Sequence, residues 1–467
     1  MTDMLKFTST EQHYPATAPA EERKHDFKEI YANFDPAAAA LQASRCSQCG
    51  VPFCQIHCPL QNNIPDWLKL TAEGRLEEAY AMSSATNTFP EICGRICPQD
   101  RLCEGNCVIE KGFKSVTIGA VEKYITETAF AEGWVKPIKI KRESGVSIGI
   151  IGAGPAGLAA ADMLRRYGHA VYVYDRYDRV GGLMMYGIPN FKLEKQIVLR
   201  RHELLKAGGI KFHLNHDVGN NFAALRARHD AILIATGVYK ARDIEIPGAA
   251  LGNIFPAMDY LTASNRKNLG DKITPISAEG KNVVVIGGGD TAMDCVRTAV
   301  RQGAKKVTCL YRRDRANMPG SAREVKNAEE EGVEFMWLSA PKAFAGGHSV
   351  EEILVQRMRL ATQDAAGRQP VIAVEGEHFT LPCDMAIKAL GFDAQDLPTL
   401  FTAPELRVST YGTLAVDRKK FMTSLPGVFA AGDIVRGASL VVWAIKDGRD
   451  AAQAMHQYVT IKQRVAA

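Results

Sequence analysis

The sequence predicts an α/β protein built from two doubly wound units, the second inserted into the first, behind an α-helical, cysteine-rich segment. Three observations carry that reading. An apolar run, a glycine-rich turn and a helix-forming run follow one another twice, from residues 146 and 282. Each repeat closes on a short apolar strand ending in glycine, AILIATG at 231–237 and MAIKALG at 385–391. Eight of the 11 cysteines fall between residues 46 and 107.

Length and composition agree. A chain of 467 residues suggests about three domains, and 46% hydrophobic residues suffice for several cores. The net charge of +5, from 57 basic and 52 acidic residues, is mild and interspersed, which favours a mixed surface over nucleic-acid binding. The opening MTDMLKFTSTEQHYPAT lacks the apolar core of a secretory signal. The most apolar window, 146–164, carries four glycines, a proline and Asp162, so it reads as a buried strand and packed helix rather than a membrane span. The expected location is therefore cytoplasmic, where a cysteine cluster points to metal rather than disulfides.

The first region is expected to span residues 1–140. EERKHDFKEIYANF places Phe27, Ile30, Tyr31 and Phe34 at helical spacing, which predicts a docked terminal helix. CSQCGVPFCQIHCPL follows, with Cys46, Cys49, Cys54 and Cys58 spaced C-x2-C-x4-C-x3-C-P. A helix is expected over 64–85, then CGRICPQDRLCEGNC supplies Cys93, Cys97, Cys103 and Cys107, again with a Cys-Pro. In two-cluster ferredoxins the cysteine before proline ligates the other cluster; the same logic separates Cys58 from Cys46, Cys49 and Cys54. Thiolates suit iron–sulfur clusters and zinc alike. Structural zinc often uses paired C-x2-C hooks, and only one is present, so two [4Fe–4S] clusters fit better. Residues 108–132 continue as a helix containing VTIGAVEKYITETAFAEG, and 133–145 read as a basic linker.

The first α/β unit is expected at 146–240, completed by 392–467. In GAGPAG, Gly152 allows the turn, Gly154 admits a pyrophosphate close to the backbone, and Gly157 lets helix pack on strand. The helix N-terminus, with Pro155 and Ala156, offers free N–H groups to phosphates. The second strand, AVYVYD, ends in Asp175, placed for a ribose hydroxyl, with Arg176 beside it. The loop GGLMMYGIPNFKLEK at 181–195 could cover a ring system, Gly182 and Leu183 being its first candidates, and Thr236 closes the unit. LPGVFAAGD at 425–433 returns to it. There Gly432 and Asp433 precede a helix expected to begin near Val441, Asp433 facing a flavin ribityl chain and the helix N-terminus facing the ring.

The second unit, expected at 241–391, repeats the pattern in NVVVIGGGDTAMDC. Gly287, Gly289 and Ala292 give G-x-G-x-x-A, with Asp290 and Thr291 opening the helix. Aligning KVTCLYRR with AVYVYDR puts Tyr311 where Asp175 stands, followed by Arg312 and Arg313. An acid there selects the ribose hydroxyl of NAD, whereas arginines accept a 2′-phosphate. NADPH is expected at this unit, which leaves FAD for the first; the alternative pairs these arginines with Asp314 or Glu324 on the surface. Both are Rossmann-like nucleotide-binding domains.

GAGPAGLAAA, YGIP, ATG, GGGDTAMDC, LYRRD, NMPGS, AAGDIVRGASLVVWAIKDGRDAA and the two cysteine blocks together resemble the family of small (beta) subunits of bacterial NADPH-dependent glutamate synthase, from about residue 22 onward. The same module occurs in dihydropyrimidine dehydrogenase and in the large subunit of NADH-dependent ferredoxin:NADP oxidoreductase. The resemblance implies FAD, NADPH and two [4Fe–4S] clusters. By analogy with the dihydropyrimidine enzyme, one cluster takes Cys46, Cys49, Cys54 and Cys107, and the other Cys58, Cys97 and Cys103. A glutamine completes the second set in that relative, which keeps an equivalent of Cys93 that does not ligate. This chain has Glu122 at the glutamine's place, so Glu122 is expected as the fourth ligand and Cys93 is the alternative. The resemblance further implies electron delivery to a large alpha subunit that forms glutamate from glutamine and 2-oxoglutarate, with no side chain acting as acid or base at the hydride step. Within the family the alternative is electron delivery to a pyrimidine reductase or a ferredoxin-linked transhydrogenase. A flavin–disulfide reductase is disfavoured because Cys295 stands alone.

Overall fold

The computed structural model describes residues 5–274, 276–363 and 369–466, with side chains to residue 463. Two five-stranded parallel sheets dominate it. In the first, β1 (Ser147–Ile151) lies between β2 (Ala170–Tyr174) and β4 (Ala231–Ile234), with β3 (Lys211–His213) beyond β2. The chain then crosses through β5 (Lys240–Ala241) into the second unit. There β7 (Asn282–Ile286) is central, flanked by β8 (Lys306–Leu310) and β13 (Met385–Lys388), with β6 (Ile254–Pro256) and β9 (Glu334–Met336) at the edges. A three-stranded antiparallel sheet, β10 (Ser339–Ala345), β11 (Glu352–Leu360) and β12 (Val371–Pro382), is attached to this unit. The chain returns through β14 (Phe392–Asp393), antiparallel to β5, and ends the first sheet with β15 (Val428–Ala430) beside β4.

The strands are near-continuous apolar runs because both faces are covered, as parallel sheets require. Ile148, Ile150, Val171, Val173 and Leu233 are buried with Ala159, Leu164 and Ile445 of the covering helices. Val283, Val285, Val307 and Ile387 do the same in the second unit with Val296 and Ala299. The C-terminal helix Val441–Ala466 lies along the helix Pro155–Arg166. Their approach is so close that a Cβ on Gly448 would sit 2.1 Å from the Ala156 carbonyl oxygen.

The N-terminal region is helical, with helices at Pro36–Ala43, Ile64–Ala72, Leu76–Thr86, Pro90–Ile96 and Ile118–Ala131. Trp67, Leu68, Ile118, Val121 and Ile125 form its core with Cys54. The helix expected over 64–85 is two helices, because Gly74 takes φ +75° between them. The helix expected in EERKHDFKEIYANF is confined to Ala20–Arg23. Beyond it the backbone is extended: Ala18 N–H donates to Ile30 O and Ala32 N–H to Ala16 O, both at 2.9 Å. Tertiary contacts of this segment override its helical spacing. No helix among the described residues is long and apolar enough to cross a membrane.

Candidate functional site

A cavity of about 520 Å³ lies where the three regions meet. Its wall includes Gly152, Gly154, Pro155 and Ala156 of the first glycine turn, then Asp175, Arg176, Gly182, Leu183, Thr236, Asp433 and Val441. Asp290 and Thr291, at the start of the second unit's turn helix, line the same cavity, and so do Arg95, Ile96, Cys97 and Pro98 from the helical region. One space is thus shared by the first turn, the start of the second unit's turn helix and a cysteine-bearing loop.

The first turn combines two sterically required glycines with one that faces open space. Gly152 takes φ +110°, and a Cβ there would sit 2.3 Å from Ala235 O; a Cβ on Gly157 would sit 1.9 Å from Gly152 O. Those two glycines are needed by the fold. Gly154 is different. Its φ of −77° and ψ of −178° suit any residue, and a Cβ would meet nothing within 4 Å. That open space leaves room for a group to approach the backbone, and a pyrophosphate at the N-terminus of Pro155–Arg166 fits it. Thr236 Oγ1 is buried and has no hydrogen-bond partner among the described residues, an orphan on the same wall that a polar ligand would satisfy. The groups present therefore fit a dinucleotide.

Asp175 directly follows Tyr174, the last residue of β2 paired with β1. Its carboxylate accepts from Ala153 N at 2.6 Å and Tyr177 N at 2.9 Å, so it holds the turn while each oxygen keeps a lone pair for a ribose hydroxyl. Burial raises its pKa. Asp433 accepts from Ser439 Oγ at 2.7 Å and is pushed up to about 6 by burial. Gly432, at φ +77°, packs against Ala156, which a Cβ would approach to 2.9 Å; it shapes the bend and is not on the cavity wall.

The second turn repeats this geometry. A Cβ on Gly287 would sit 2.3 Å from Ala389 O, the counterpart of Ala235 O, while Gly289, like Gly154, has extended backbone and open space. Tyr311 follows Leu310, the last residue of β8 paired with β7, so the register gives it the place of Asp175. Its hydroxyl donates to Asn317 O at 3.0 Å. Among the described residues, neither Arg312 nor Arg313 has a carboxylate partner. Glu324 instead receives Arg297, and Asp314 receives Asn317. Gly287, Gly289, Ala292 and the two arginines are not on the shared wall; Arg312 is exposed and Arg313 half-buried.

The cysteines separate into two neighbouring groups. Cys58, Cys93, Cys97, Cys103 and Glu122 line one small cavity with Trp67, Asn87 and Gln99. Burial is the main cause that raises the Cys58 thiol to about 11 and the Cys103 thiol well above its ordinary value. Cys97 is raised first by the neighbouring Cys93 and then by burial. Glu122 is pushed up to about 8 by burial, although Asn87 Nδ2 and Ser83 Oγ donate to its Oε1 at 3.2 and 3.3 Å. Around Cys46, Cys49, Cys54 and Cys107, burial and mutual repulsion raise Cys54 to about 12 and Cys46 to about 11. Thiolates in such places need a cationic centre to hold them. Among the described residues no three Cys, His, Asp or Glu side chains converge tightly enough for a single ion. The donors of the group with Cys58, Cys97, Cys103 and Glu122 surround a small void instead, an arrangement that suits a multi-atom cluster.

Several cavity residues carry no local sequence motif. Lys192 Nζ, from the 181–195 loop, donates to Asp294 Oδ1 at 2.8 Å and lies 3.7 Å from Glu324. It is pushed above its ordinary range by these carboxylates against the opposing cost of burial. Asp294 is pushed up to about 6 by burial, and Glu324 is held at about 2 by Lys192, Arg297 and Arg323 despite burial. Asp294 lies four residues after Asp290 on one helix, and that spacing was its only signal. Half-buried Tyr239 and Arg323 also face the cavity.

The chain is similar to known proteins along nearly its whole length. Residues 23–134 match the family model described as dihydropyrimidine dehydrogenase domain II, 4Fe-4S cluster, and residues 146–448 match pyridine nucleotide-disulphide oxidoreductase. A glutamate synthase [NADPH] small chain of Azospirillum brasilense is 62% identical over 98% of this chain and 97% of its own length. One of Escherichia coli K12 is 43% identical over 98% and 99%. The putative oxidoreductase AegA of the same organism is 44% identical over 96% of this chain and 70% of its own. Among solved structures, Mycobacterium tuberculosis FprA in complex with NADPH shares the fold, with TM-score 0.59 and 20% identity over 69% of this chain and 86% of that one.

Proposed function

This chain belongs to the family of NADPH-dependent glutamate synthase small chains, and from that premise we propose a route for its electrons. The chain is an NADPH-dependent oxidoreductase and an electron-transfer subunit. In the proposed arrangement FAD occupies the first unit (146–240 with 392–467), NADPH the second (241–391), and two [4Fe–4S] clusters the helical region (1–140). FAD when bound accepts a two-electron hydride and the clusters carry single electrons. The chain's residues bind, orient and shield. The Gly154 turn and helix N-terminus hold the FAD pyrophosphate, Asp175 its ribose, and Thr236 and Asp433 contact its inner part. The Gly289 turn holds the NADPH pyrophosphate, with Arg312 and Arg313 on the 2′-phosphate.

Cys46, Cys49, Cys54 and Cys107 hold one cluster. Cys58, Cys97, Cys103 and Glu122 hold the other, with Cys93 as the alternative fourth donor. No side chain is assigned a catalytic proton. The recipient is a large alpha subunit forming glutamate from glutamine and 2-oxoglutarate, in the cytoplasm.

The observation that carries this route is the shared cavity: one wall brings Gly154, Asp290 and Cys97 together. The purified chain is expected to contain FAD and about eight iron atoms for two [4Fe–4S] clusters; stoichiometric zinc without iron would refute the cluster assignment. Pull-down of the native chain should recover a large glutaminase-type subunit, and recovery of a pyrimidine reductase instead would redirect the pathway.

A further inference from the structure

The two nucleotide units are joined covalently only where β5 and β14 cross, a pair with just two paired residues on each strand. Links of that kind act as hinges, and contacts between domains permit relative motion by default. Hydride transfer demands reacting atoms about 3–3.5 Å apart. Something besides the crossing must hold the units in register.

The segment 23–31 meets all three regions. Arg23, 3% exposed, donates from Nε to Glu331 at 2.9 Å and from Nη2 to Glu330 at 2.7 Å and to Asn327 O at 3.3 Å, all in the second unit. Asn327 Nδ2 in turn donates to Tyr31 Oη at 2.7 Å. Between these ends the segment binds the first unit: Asn190 Nδ2 donates to Phe27 O at 2.9 Å, and Ile30 N–H to Phe191 O at 3.3 Å. Glu29 receives Arg95 and Lys123 of the helical region at 3.1 and 2.6 Å.

These contacts converge on the 181–195 loop. Phe191 is fully buried, with the Arg297 and Arg301 guanidinium groups 4.6 and 3.9 Å from its ring centre. Both arginines bind Glu331, the carboxylate that Arg23 reaches. The next residue, Lys192, bridges to Asp294 and Glu324 on the cavity wall. From Arg23 to the cavity wall there is thus an unbroken chain of contacts.

We propose that residues 23–31 are a strap, and that Arg23 is a positioning residue for hydride transfer, fixing the second unit's orientation toward the first through Glu331, Arg297, Phe191 and Lys192. The proposal rests on the reading of the second unit as the NADPH site. The step that Arg23 serves would move a hydride, one proton with two electrons, from NADPH to FAD. Arg23 touches neither group.

Loss of Arg23 leaves Glu331 with two guanidinium partners, so its charge is not stranded and the chain should still fold. In stopped-flow with the holoprotein at saturating NADPH, Arg23→Ala should slow flavin reduction by about ten-fold or more, since a displacement near 1 Å suffices for that. The dissociation constant for 2′,5′-ADP should change less than about two-fold, because the nucleotide turn is untouched, and Arg23→Lys should restore most of the rate. Unchanged flavin reduction in Arg23→Ala would overturn the strap, as would a parallel loss of 2′,5′-ADP affinity, which signals damage to the second unit alone. Wild-type protein that fails to bind 2′,5′-ADP would overturn the underlying NADPH reading instead. Should Arg23→Ala not fold, Tyr31→Phe decides by the same two measurements: slower reduction at unchanged affinity supports the strap, and an unchanged rate refutes it.

Discussion

The two nucleotide units share a backbone and differ in what they hang on it. In each, a parallel strand runs into a glycine turn whose first glycine lies against the carbonyl after the closing strand: Gly152 against Ala235 and Gly287 against Ala389, with the same 2.3 Å approach of a notional Cβ. In each, the middle glycine faces open space. The register then puts different chemistry at the end of the second strand, Asp175 in one and Tyr311-Arg312-Arg313 in the other. On the proposed assignment, ligand choice lives in a few side chains, and the capacity to bind a dinucleotide lives in the turn. The third turn position also differs. Gly157 is pressed against Gly152 O, whereas Ala292 already carries a Cβ and is fully buried.

That last contrast gives the largest expected effect. Gly157→Ala forces a Cβ to within 1.9 Å of a backbone oxygen, so the turn must move. The cost should reach about 3 kcal/mol, the upper range for overpacking, and flavin should be lost with it. The mirror change, Ala292→Gly, should cost only about 1 kcal/mol, the helix-propensity difference. Thermal unfolding with flavin absorbance reads both; equal losses would show that the two turns are packed alike.

Gly154→Ala and Gly289→Ala separate fold from ligand. Neither Cβ meets protein, so each variant should keep its unfolding temperature or gain slightly, since alanine restricts the unfolded chain. Binding should fall about 100-fold, a loss of about 2.7 kcal/mol, and selectively. Gly154→Ala should lose FAD and keep 2′,5′-ADP binding, and Gly289→Ala should do the reverse. A variant losing both ligands would break the one-turn, one-ligand comparison.

The arginines come next. Removing both Arg312 and Arg313 should raise the KM for NADPH about 30-fold, close to 2 kcal/mol for charge-assisted hydrogen bonds to phosphate, and leave the KM for NADH little changed. Steady-state reduction of an artificial acceptor measures both, and equal effects would remove the 2′-phosphate role.

What could be read ahead of the structure follows from how local each signal is. The turns, the closing strands and the Asp175/Tyr311 contrast are written within a few residues of one another, as are the spacings of the cysteines. Contacts between distant segments left no such trace. Residues 27–34 carry helical spacing, yet Ile30 is held by Phe191, 161 positions away by subtraction of the two residue numbers, and the segment is extended. Lys192, Asp294 and Glu324 come from three separate segments and only the fold joins them. The antiparallel sheet β10–β12 follows no glycine turn, and no local signal marks it.

The smallest expected effect concerns a carboxylate that the second unit lacks. The outer strand of the first sheet, β15, is followed by Gly432 and Asp433, whereas the outer strand of the second, β6, is followed by a helix at Ala257–Asn268 with no side-chain cap. Burial holds Asp433 at about 6, above its unfolded value near 3.9. A raised native pKa means that the folded chain binds this proton more tightly, so the contribution is fully present below about pH 4 and is lost as pH rises through about 6. At pH 7 the ionised Asp433 therefore works against the ligand-free fold. Asp433→Asn should lift this burden but weaken the bond from Ser439 Oγ, which favours the ionised form. The net gain at pH 7 should be about 1 kcal/mol, vanishing near pH 4. Urea unfolding of the ligand-free variant across that range reads it directly. The matching loss should appear in FAD affinity if this carboxylate contacts the ribityl chain. A variant stabilised at pH 7 with FAD affinity intact would leave Asp433 as a strained bend residue and erase this difference between the units.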